Sequence, residues 1–415
     1  VGGFLGVVNE TGMLDTGIAS IVKKYKGREK MLILVLMPLF ALGGTTYGMG
    51  EETMAFYPLL VPVMMAVGFD SLTGVAIILL GSQIGCLAST LNPFATGIAS
   101  STAGVSLGEG IILRLIFWFT LTALSTWFVY RYADKIQKDP TKSLTYATRE
   151  EDMKFFNVGE DEENVNSTLT KKQKHVFVLF VLTFVLMVLS FIPWTGLHIN
   201  LFENFNTWLT GLPVIGKIIG SSTAALGTWY FPEGAMLFAF MGILIGVVYG
   251  LKEDKIISAF MNGAADLLSV ALIVAIARGI QVIMNDGMIT DTILNWGKEG
   301  LSGLSSQVFI VLTYIFYLPM SFLIPSSSGL ASATMGIMAP LGEFVNVRPS
   351  LIITAYQSAS GVLNLIAPTS GIVMGALALG RINIGTWWKF MGKLVVAIIV
   401  VTIALLLLGT FIPFL

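Results

Sequence analysis

Hydrophobic residues fill this chain in long blocks, and polar breaks divide the blocks at matching places near each end. The run from Met31 to Phe69 holds only two charges, Glu51 and Glu52. As one straight helix it would be roughly 58 Å long, about twice the hydrocarbon thickness of a bilayer. Gly43, Gly44, Gly48 and Gly50 supply a place to break it, because glycine accepts backbone conformations other residues avoid. The pattern predicts two short arms and a tip, a re-entrant hairpin carrying two acids. Non-helical backbone at that depth is tolerated only where protein covers it or it lines a wet cavity. The run from Gln307 to Gly342 has no charge and is broken by IPSSSGLAS at 324–332, which predicts a second hairpin.

Each hairpin is followed by an apolar run with a proline break. Asp70–Leu107 is interrupted by CLASTLNPFATG at 86–97, and Pro349–Gly380 by NLIAPTSG at 364–371. Proline removes a backbone donor and disfavours helical geometry in the residue before it, so each run reads as a discontinuous helix. Plainer spans are predicted at 108–130 (with Arg114 near its start), Val176–Pro193, Gly234–Leu251, 260–285 (with Asp266 and Arg278 inside) and Trp387–Ile412. The loop between the second and third of these carries Trp194, Trp208 and Trp229, as an interfacial segment does.

The two ends of the chain repeat. GMLDTGI at 12–18 returns as GMITDTI at 287–293, an offset of 275 residues; Pro93 and Pro368 are also 275 apart, and Pro62 and Pro340 are 278 apart. Each half reads helix, amphipathic segment, hairpin, broken helix, closing helix. Five elements at a nearly constant offset are a repeat.

Composition changes this picture little. The chain has 415 residues, 55% of them apolar and 12% charged, where a soluble domain carries about 25% charged residues. The reading is an all-α polytopic membrane protein. One cysteine, Cys86, excludes an internal disulfide, and two histidines, His175 and His198, make a poor metal site. No metal and no cofactor is expected. The net charge of −1 comes with no basic patch interleaved with aromatics, so no nucleic-acid partner is expected. Eight apolar residues precede Asn9. They make about 12 Å of helix, too short to span, so earlier helical sequence is expected before residue 1.

Charge supplies sidedness. Residues 131–174 form a polar linker with nine Lys or Arg and nine Asp or Glu. With that linker in the cytoplasm, cytoplasmic segments hold 19 of the 24 Lys and Arg, as the positive-inside rule requires. Hairpin one then enters from the cytoplasm and hairpin two from outside, so the repeats are inverted. Inverted repeats with discontinuous helices and a site near the midplane are the architecture of a secondary transporter. The expected division is 1–30, the end of a helix plus an amphipathic segment; 31–107, hairpin and broken helix of repeat one; 108–130, its closing helix; 131–174, a solvated linker; 175–306, scaffold helices and the start of repeat two; 307–380, hairpin and broken helix of repeat two; and 381–415, the last closing helix.

Helix breaks expose backbone groups. Half-helix N-termini suit an anionic group, and freed carbonyls and hydroxyls suit a cation. The candidate substrate-binding residues around the breaks are Thr46, Glu51, Glu52 and Thr53; Asn92 and Thr96; Ser326, Ser327 and Ser328; and Asn364, Thr369 and Ser370. Thr45, Ser89 and Thr90 stand beside them, and Gln83 and Gln357 hold equivalent repeat positions. Hairpin one has two acids and hairpin two has none. A substrate with one carboxylate and one cationic arm fits that asymmetry, its amine or guanidinium against Glu51 or Glu52 and its carboxylate against the serine tip. A dicarboxylate would need a protonated glutamate or an intervening cation. Arg278 is either a partner of Glu51 or Glu52 or a ligand for the substrate carboxylate. An intramembrane protease would need paired aspartates, a serine with His or Lys, or a metal site, and Asp266 is the one aspartate inside a span. No enzyme is expected.

GGTTYGMGEETMAFYPLL, STLNPFATGIAS, ARGIQVIMNDGMITDTI and PSSSGLASATMGIMAPL resemble the YfcC family of basic amino-acid antiporters. That family includes arginine/ornithine-exchanger-like carriers and groups with the C4-dicarboxylate anaerobic carriers in the ion-transporter superfamily. The resemblance covers nearly the whole chain except 131–174. It implies a bacterial inner-membrane carrier, a homodimer, and an elevator mechanism in which the hairpins and broken helices form the mobile domain. The wider superfamily often carries Ser-Asn-Thr at its hairpin tips; here the tips read GMGEET and PSSSGLA, so sodium sites do not carry over by motif. The expected function is exchange or import of basic amino acids. The alternative is a dicarboxylate or short-chain carboxylate carrier coupled to H+ or Na+.

Overall fold

The computed structural model describes residues 2–13, 16, 28–158, 169–191, 194–195, 199–214, 216–217, 220, 223–229, 231–266, 268, 286–287 and 304–412. Every regular element among them is helical, and they fall into two compact units, 1–23 with 161–269 and 24–160 with 270–415. Arg278 and most of both amphipathic segments lie outside the described residues, as do the side chains of Glu51, Glu52 and Asp266.

The helices of the first unit are α1 (Gly2–Glu10), α8 (Lys171–Phe191), α9 (Leu201–Thr210), α10 (Phe231–Tyr249) and α11 (Glu253–Asp266). α1 lies against α11 almost backbone to backbone. A Cβ on Gly6 would stand 2.2 Å from the Ala259 carbonyl oxygen, and one on Gly263 would stand 2.3 Å from that of Gly2. Small residues let helices approach where lipid gives no hydrophobic drive for association. Phe4 stacks on Phe180 and meets Phe238 edge-on, which joins α1 to α8 and α10.

The second unit holds both repeats. Repeat one contains α2 (Met31–Tyr47), a 3-10 turn at Glu51–Phe56, α3 (Tyr57–Ala66), α4 (Ser71–Leu87), a π-turn at Pro93–Gly97, α5 (Ile98–Ala103) and α6 (Ile111–Lys138). The linker adds α7 (Arg149–Phe155). Repeat two contains α12 (Ser306–Leu323), α13 (Ser327–Phe344), α14 (Pro349–Leu363), α15 (Gly371–Leu379) and α16 (Ile384–Phe411). The breaks fall where the sequence placed them, at Gly48–Gly50, 88–97, 324–326 and 364–370. Among the described residues four helices are long and apolar enough to cross a membrane: Ile111–Lys138, Pro232–Tyr249, Ser306–Leu323 and Ile384–Phe411.

Side-chain contacts give the second unit its polarity. α6 and α16 are antiparallel: Phe128 and Tyr132 meet Phe390, while Leu113 lies beside Gly409 at the other end. Hairpin one begins and ends at the C-terminal end of α6, where Lys30 pairs with Asp134 and Arg149 donates to the Phe69 carbonyl at 3.2 Å. α4 starts there too, since Asp70 accepts from Tyr132 at 2.7 Å. Hairpin two begins and ends together, the Ser306 hydroxyl donating to the Val345 carbonyl at 2.6 Å. α14 follows from the opposite end, where Arg348 donates to the carbonyls of Gly409 (3.3 Å) and Ile412 (3.4 Å). The two broken helices therefore run in from opposite ends and stop facing each other.

Two expectations need correction. α6 does not end with its apolar residues at 130 but continues to Lys138, because cations are favourable in the last turn of a helix. The first part of the linker is not simply solvated. Ser143 donates to Asp70 at 2.6 Å, and Asp152, its side chain 2% exposed, faces the Arg381 guanidinium at 3.3 Å. The segment is folded back onto the starts of α4 and α16.

Candidate functional site where four helix ends meet

Hairpin one's tip is built by glycine. Gly48 closes α2 with φ +80°, and its N–H bonds to the Gly44 carbonyl at 3.1 Å while that of Met49 reaches Gly43 at 3.4 Å. This left-handed cap satisfies carbonyls that a helix end otherwise leaves open. A Cβ at Gly48 would stand 2.4 Å from the Asn92 amide nitrogen. The tip therefore rests directly on the break that precedes Pro93.

Threonines stitch the two together. The Thr45 hydroxyl donates to the Ala88 carbonyl at 2.7 Å, and the Thr45 carbonyl accepts from the N–H groups of Thr90 (2.9 Å) and Leu91 (3.1 Å). Thr90 adds its own hydroxyl to that carbonyl at 3.0 Å. These bonds pair polar backbone that would otherwise be orphaned in a buried place. Gln83 donates to the Met49 carbonyl at 3.5 Å. Gln357, from α14, donates to the Cys86 carbonyl at 2.6 Å. Gln83 thus ties a broken helix to a tip, and Gln357 ties the two broken helices to each other.

The second pair of breaks closes on the first. Thr369 donates to the Phe322 carbonyl at 3.2 Å, joining the break of repeat two to hairpin two. Ser326 caps α13 by accepting from the Gly329 N–H at 3.2 Å, and its hydroxyl lies 3.3 Å from that of Ser328. Tyr356 donates to the Ser327 carbonyl. The 3-10 turn of hairpin one packs on α15, and a Cβ on Gly50 would stand 2.9 Å from Ile372 Cδ1. α13 packs in turn on the π-turn and α5. Each hairpin thus touches the second half of the other repeat's broken helix. Trp387 and Trp388 of α16 donate to the carbonyls of Leu365 (2.7 Å) and Ile366 (2.9 Å) and hold that break open.

The candidate residues are therefore gathered in one place, with differing freedom. Thr53 donates to Gly50 at 2.6 Å, Thr46 back to Leu42 at 2.7 Å, and Thr96 shares a 2.6 Å bond with Ser89. These hydroxyls are committed to holding the tip and break. Asn92 is buried and accepts from the Ala95 N–H at 3.3 Å. Ser326, Ser327 and Ser328 are half-exposed at the N-terminus of α13, and Ser370 is buried at that of α15. Asn364 is half-buried and ends α14. The backbone at Glu51 and Glu52 opens the 3-10 turn beside α15. Tyr356 and the tryptophan pair were not legible as site residues, because an aromatic on an apolar helix reads as core.

Such a junction offers N-terminal helix ends and serine hydroxyls to an anionic group, and two acidic positions on the tip of hairpin one to a cationic one. Among the described residues no three His, Cys, Asp or Glu gather as a metal site would require.

Comparison with known proteins adds the following. The profile of the C4-dicarboxylate anaerobic carriers (DcuC) matches residues 1–411. A Haemophilus influenzae protein of no stated activity is 34% identical over 390 residues, covering 94% of this chain and 70% of its own. YfcC of Escherichia coli strain K12, provisionally described as a basic amino acid antiporter, is 31% identical over 424 residues, covering 99% and 76%. Among solved structures, the YdaH transporter of Alcanivorax borkumensis overlaps 98% of this chain and 83% of its own with a TM-score of 0.47 and 16% identity. MtrF of Neisseria gonorrhoeae, described with a class of antimetabolite efflux pumps, overlaps 98% and 81% with a TM-score of 0.45 and 18% identity.

Proposed function

The chain belongs to the C4-dicarboxylate anaerobic carrier family; it is a multi-pass membrane transporter and not an enzyme, and we propose that it exchanges or imports basic amino acids across a bacterial inner membrane. The observation that carries the choice of cargo is the asymmetry of the junction. Hairpin one brings two acidic positions, Glu51 and Glu52, to the start of α15, and hairpin two brings Ser326, Ser327 and Ser328 at the start of α13. A cationic arm lies against the glutamates, and the α-carboxylate lies at the helix N-termini with Thr369 and Ser370. The description of the Escherichia coli relative as a basic amino acid antiporter supports the same cargo. The bacterial relatives support the inner-membrane setting.

In this reading the hairpins are re-entrant. The unit holding them moves as an elevator, and the working form is a homodimer. H+ or Na+ is the coupling ion where transport is not pure exchange. Arg278 either neutralises a glutamate in the empty carrier or binds the substrate carboxylate.

The family's own description favours a second cargo, a dicarboxylate or short-chain carboxylate carried with H+ or Na+. In that case the glutamates hold protons or a cation between themselves and the substrate. Proteoliposomes loaded with ornithine separate the two. Uptake of labelled arginine that falls in Glu51→Gln and Glu52→Gln supports the first reading. Uptake of succinate without arginine replaces it with the second.

A further inference from the structure

Away from the junction, the second unit carries a concave apolar groove of about 510 Å³ between α2 and α6. Leu34 and Pro38 form one wall, and Phe119, Ala123 and Trp127 form the other. Its deep end is closed by Trp118, whose indole donates to the Ala41 carbonyl at 3.1 Å. Its other end is Tyr130, and there the chain becomes cationic. Lys30 lies 5.6 Å over the Tyr130 ring, and Arg131 lies 5.1 Å over that of Trp127. Lys30 and Lys138 share the carboxylate of Asp134, and Glu29 accepts from Gln137 at 3.3 Å. Arg131 is exposed and makes no ion pair among the described residues.

Length and sidedness agree. From Trp118 to Tyr130 the helix rises about 18 Å, close to the roughly 15 Å of one bilayer leaflet. The cationic end is the end of the linker, which positive charge places in the cytoplasm. Aromatic rings at that level suit the boundary between acyl chains and headgroups. A convex helix surface meets lipid anywhere along it. A groove one leaflet deep, ending under a guanidinium that makes no ion pair among the described residues, meets one lipid in one orientation.

We propose that this groove is a binding site for one anionic phospholipid of the cytoplasmic leaflet, its acyl chain along Leu34, Pro38 and Phe119 and its phosphate at Arg131 and Lys30. The occupant is a lipid because the groove's apolar length matches a leaflet and its charge lies only at the headgroup end. The inference stands on this groove alone and does not depend on which cargo the junction takes.

Native mass spectrometry of the full detergent-solubilised chain tests it, with dioleoyl phosphatidylglycerol and dioleoyl phosphatidylcholine titrated separately. Phosphatidylglycerol adducts should survive activation that strips phosphatidylcholine. Arg131→Gln should lower their occupancy about fivefold, the value of one cation near an anionic headgroup. Ala123→Trp should fill the groove and remove the adduct, while Val400→Trp, on the exposed face of α16, should leave it. Circular dichroism and a size-exclusion profile equal to those of the parent show that each variant is folded. Equal retention of the two lipids, or an adduct indifferent to both Arg131→Gln and Ala123→Trp, overturns the proposal. So does a dimer that Ala123→Trp dissociates without loss of lipid, which would assign the groove to a second copy of the chain.

Discussion

The two hairpins occupy matching places and are held by different means. Hairpin one lies against α4 through glycine. A Cβ on Gly44 would stand 2.0 Å from the Ser82 carbonyl oxygen, and one on Gly85 would stand 2.2 Å from that of Ala41. Hairpin two lies against α14 through bulk. Tyr317 and Tyr356 meet edge to face with centroids 5.4 Å apart, and Tyr317 donates to Thr334 at 2.9 Å. The tips differ likewise, a left-handed glycine followed by two acids against a serine N-cap. The repeat therefore preserves where chains turn and which ends meet, but not the chemistry at the meeting point. A site between unlike halves can hold a substrate whose two ends are unlike.

The largest effect should come from the acids. Replacing Glu51 or Glu52 by glutamine should reduce arginine exchange in proteoliposomes on the order of 100-fold, the cost of leaving a buried charge unpaired. Ser328→Ala in the opposite tip should cost far less. Equal losses in the two tips would dissolve the contrast between them.

Packing should come next. Gly44→Val should lower stability by about 3 kcal/mol, because the new side chain meets backbone that cannot give way. Tyr356→Phe, which keeps the ring and drops one hydrogen bond, should cost about 1 kcal/mol. Thermal unfolding in detergent reads both, and a tolerant Gly44 would mean that the α2–α4 approach is not obligatory.

The threonine links should rank third. Thr45→Val loses the hydroxyl's bonds to Ala88 and Thr90, and about 1–2 kcal/mol of stability should go with them. Thr369→Val loses one such bond and should cost less. The same melting experiment compares them, with arginine added to show whether bound cargo restores what was lost.

The smallest effect concerns the linker that follows repeat one. Burial raises the Asp152 carboxyl above its usual range, against the opposing pull of Thr148 and Arg381. A raised acid stabilises the docked linker while protonated, and that contribution fades as pH rises through its folded value. Proteolysis at residues 139–158 should therefore slow as pH falls into the carboxylate range. Asp152→Asn should flatten that dependence; an unchanged profile would remove Asp152 as its source.

Much of this was legible beforehand at particular residues. Asn92-Pro93 and Ala367-Pro368 mark breaks because each proline's local cost falls among polar residues, whereas Pro38, Pro62, Pro319 and Pro340 stay inside α2, α3, α12 and α13. Gly48 announces a turn for the same kind of reason. Nothing in the sequence says that Thr45 bonds to Ala88, or that Trp387 caps Leu365. Those partners are remote in the chain, and a hydroxyl or indole beside a break has several carbonyls within reach. Asp152 reads as one acid among nine in a polar stretch, and only folding shows it buried against Arg381.

The sequence by itself determined the order of the described helices and the places where they break. Each of these follows from an apolar solvent that demands paired backbone and excludes charge, which acts on every residue where it stands. Only the tertiary structure decided that four helix ends share one junction and that each hairpin reaches across to the other repeat. It also decided which hydroxyls are spent on holding the junction together. Those outcomes depend on distances between segments some 275 residues apart, and such distances exist only once both halves have packed.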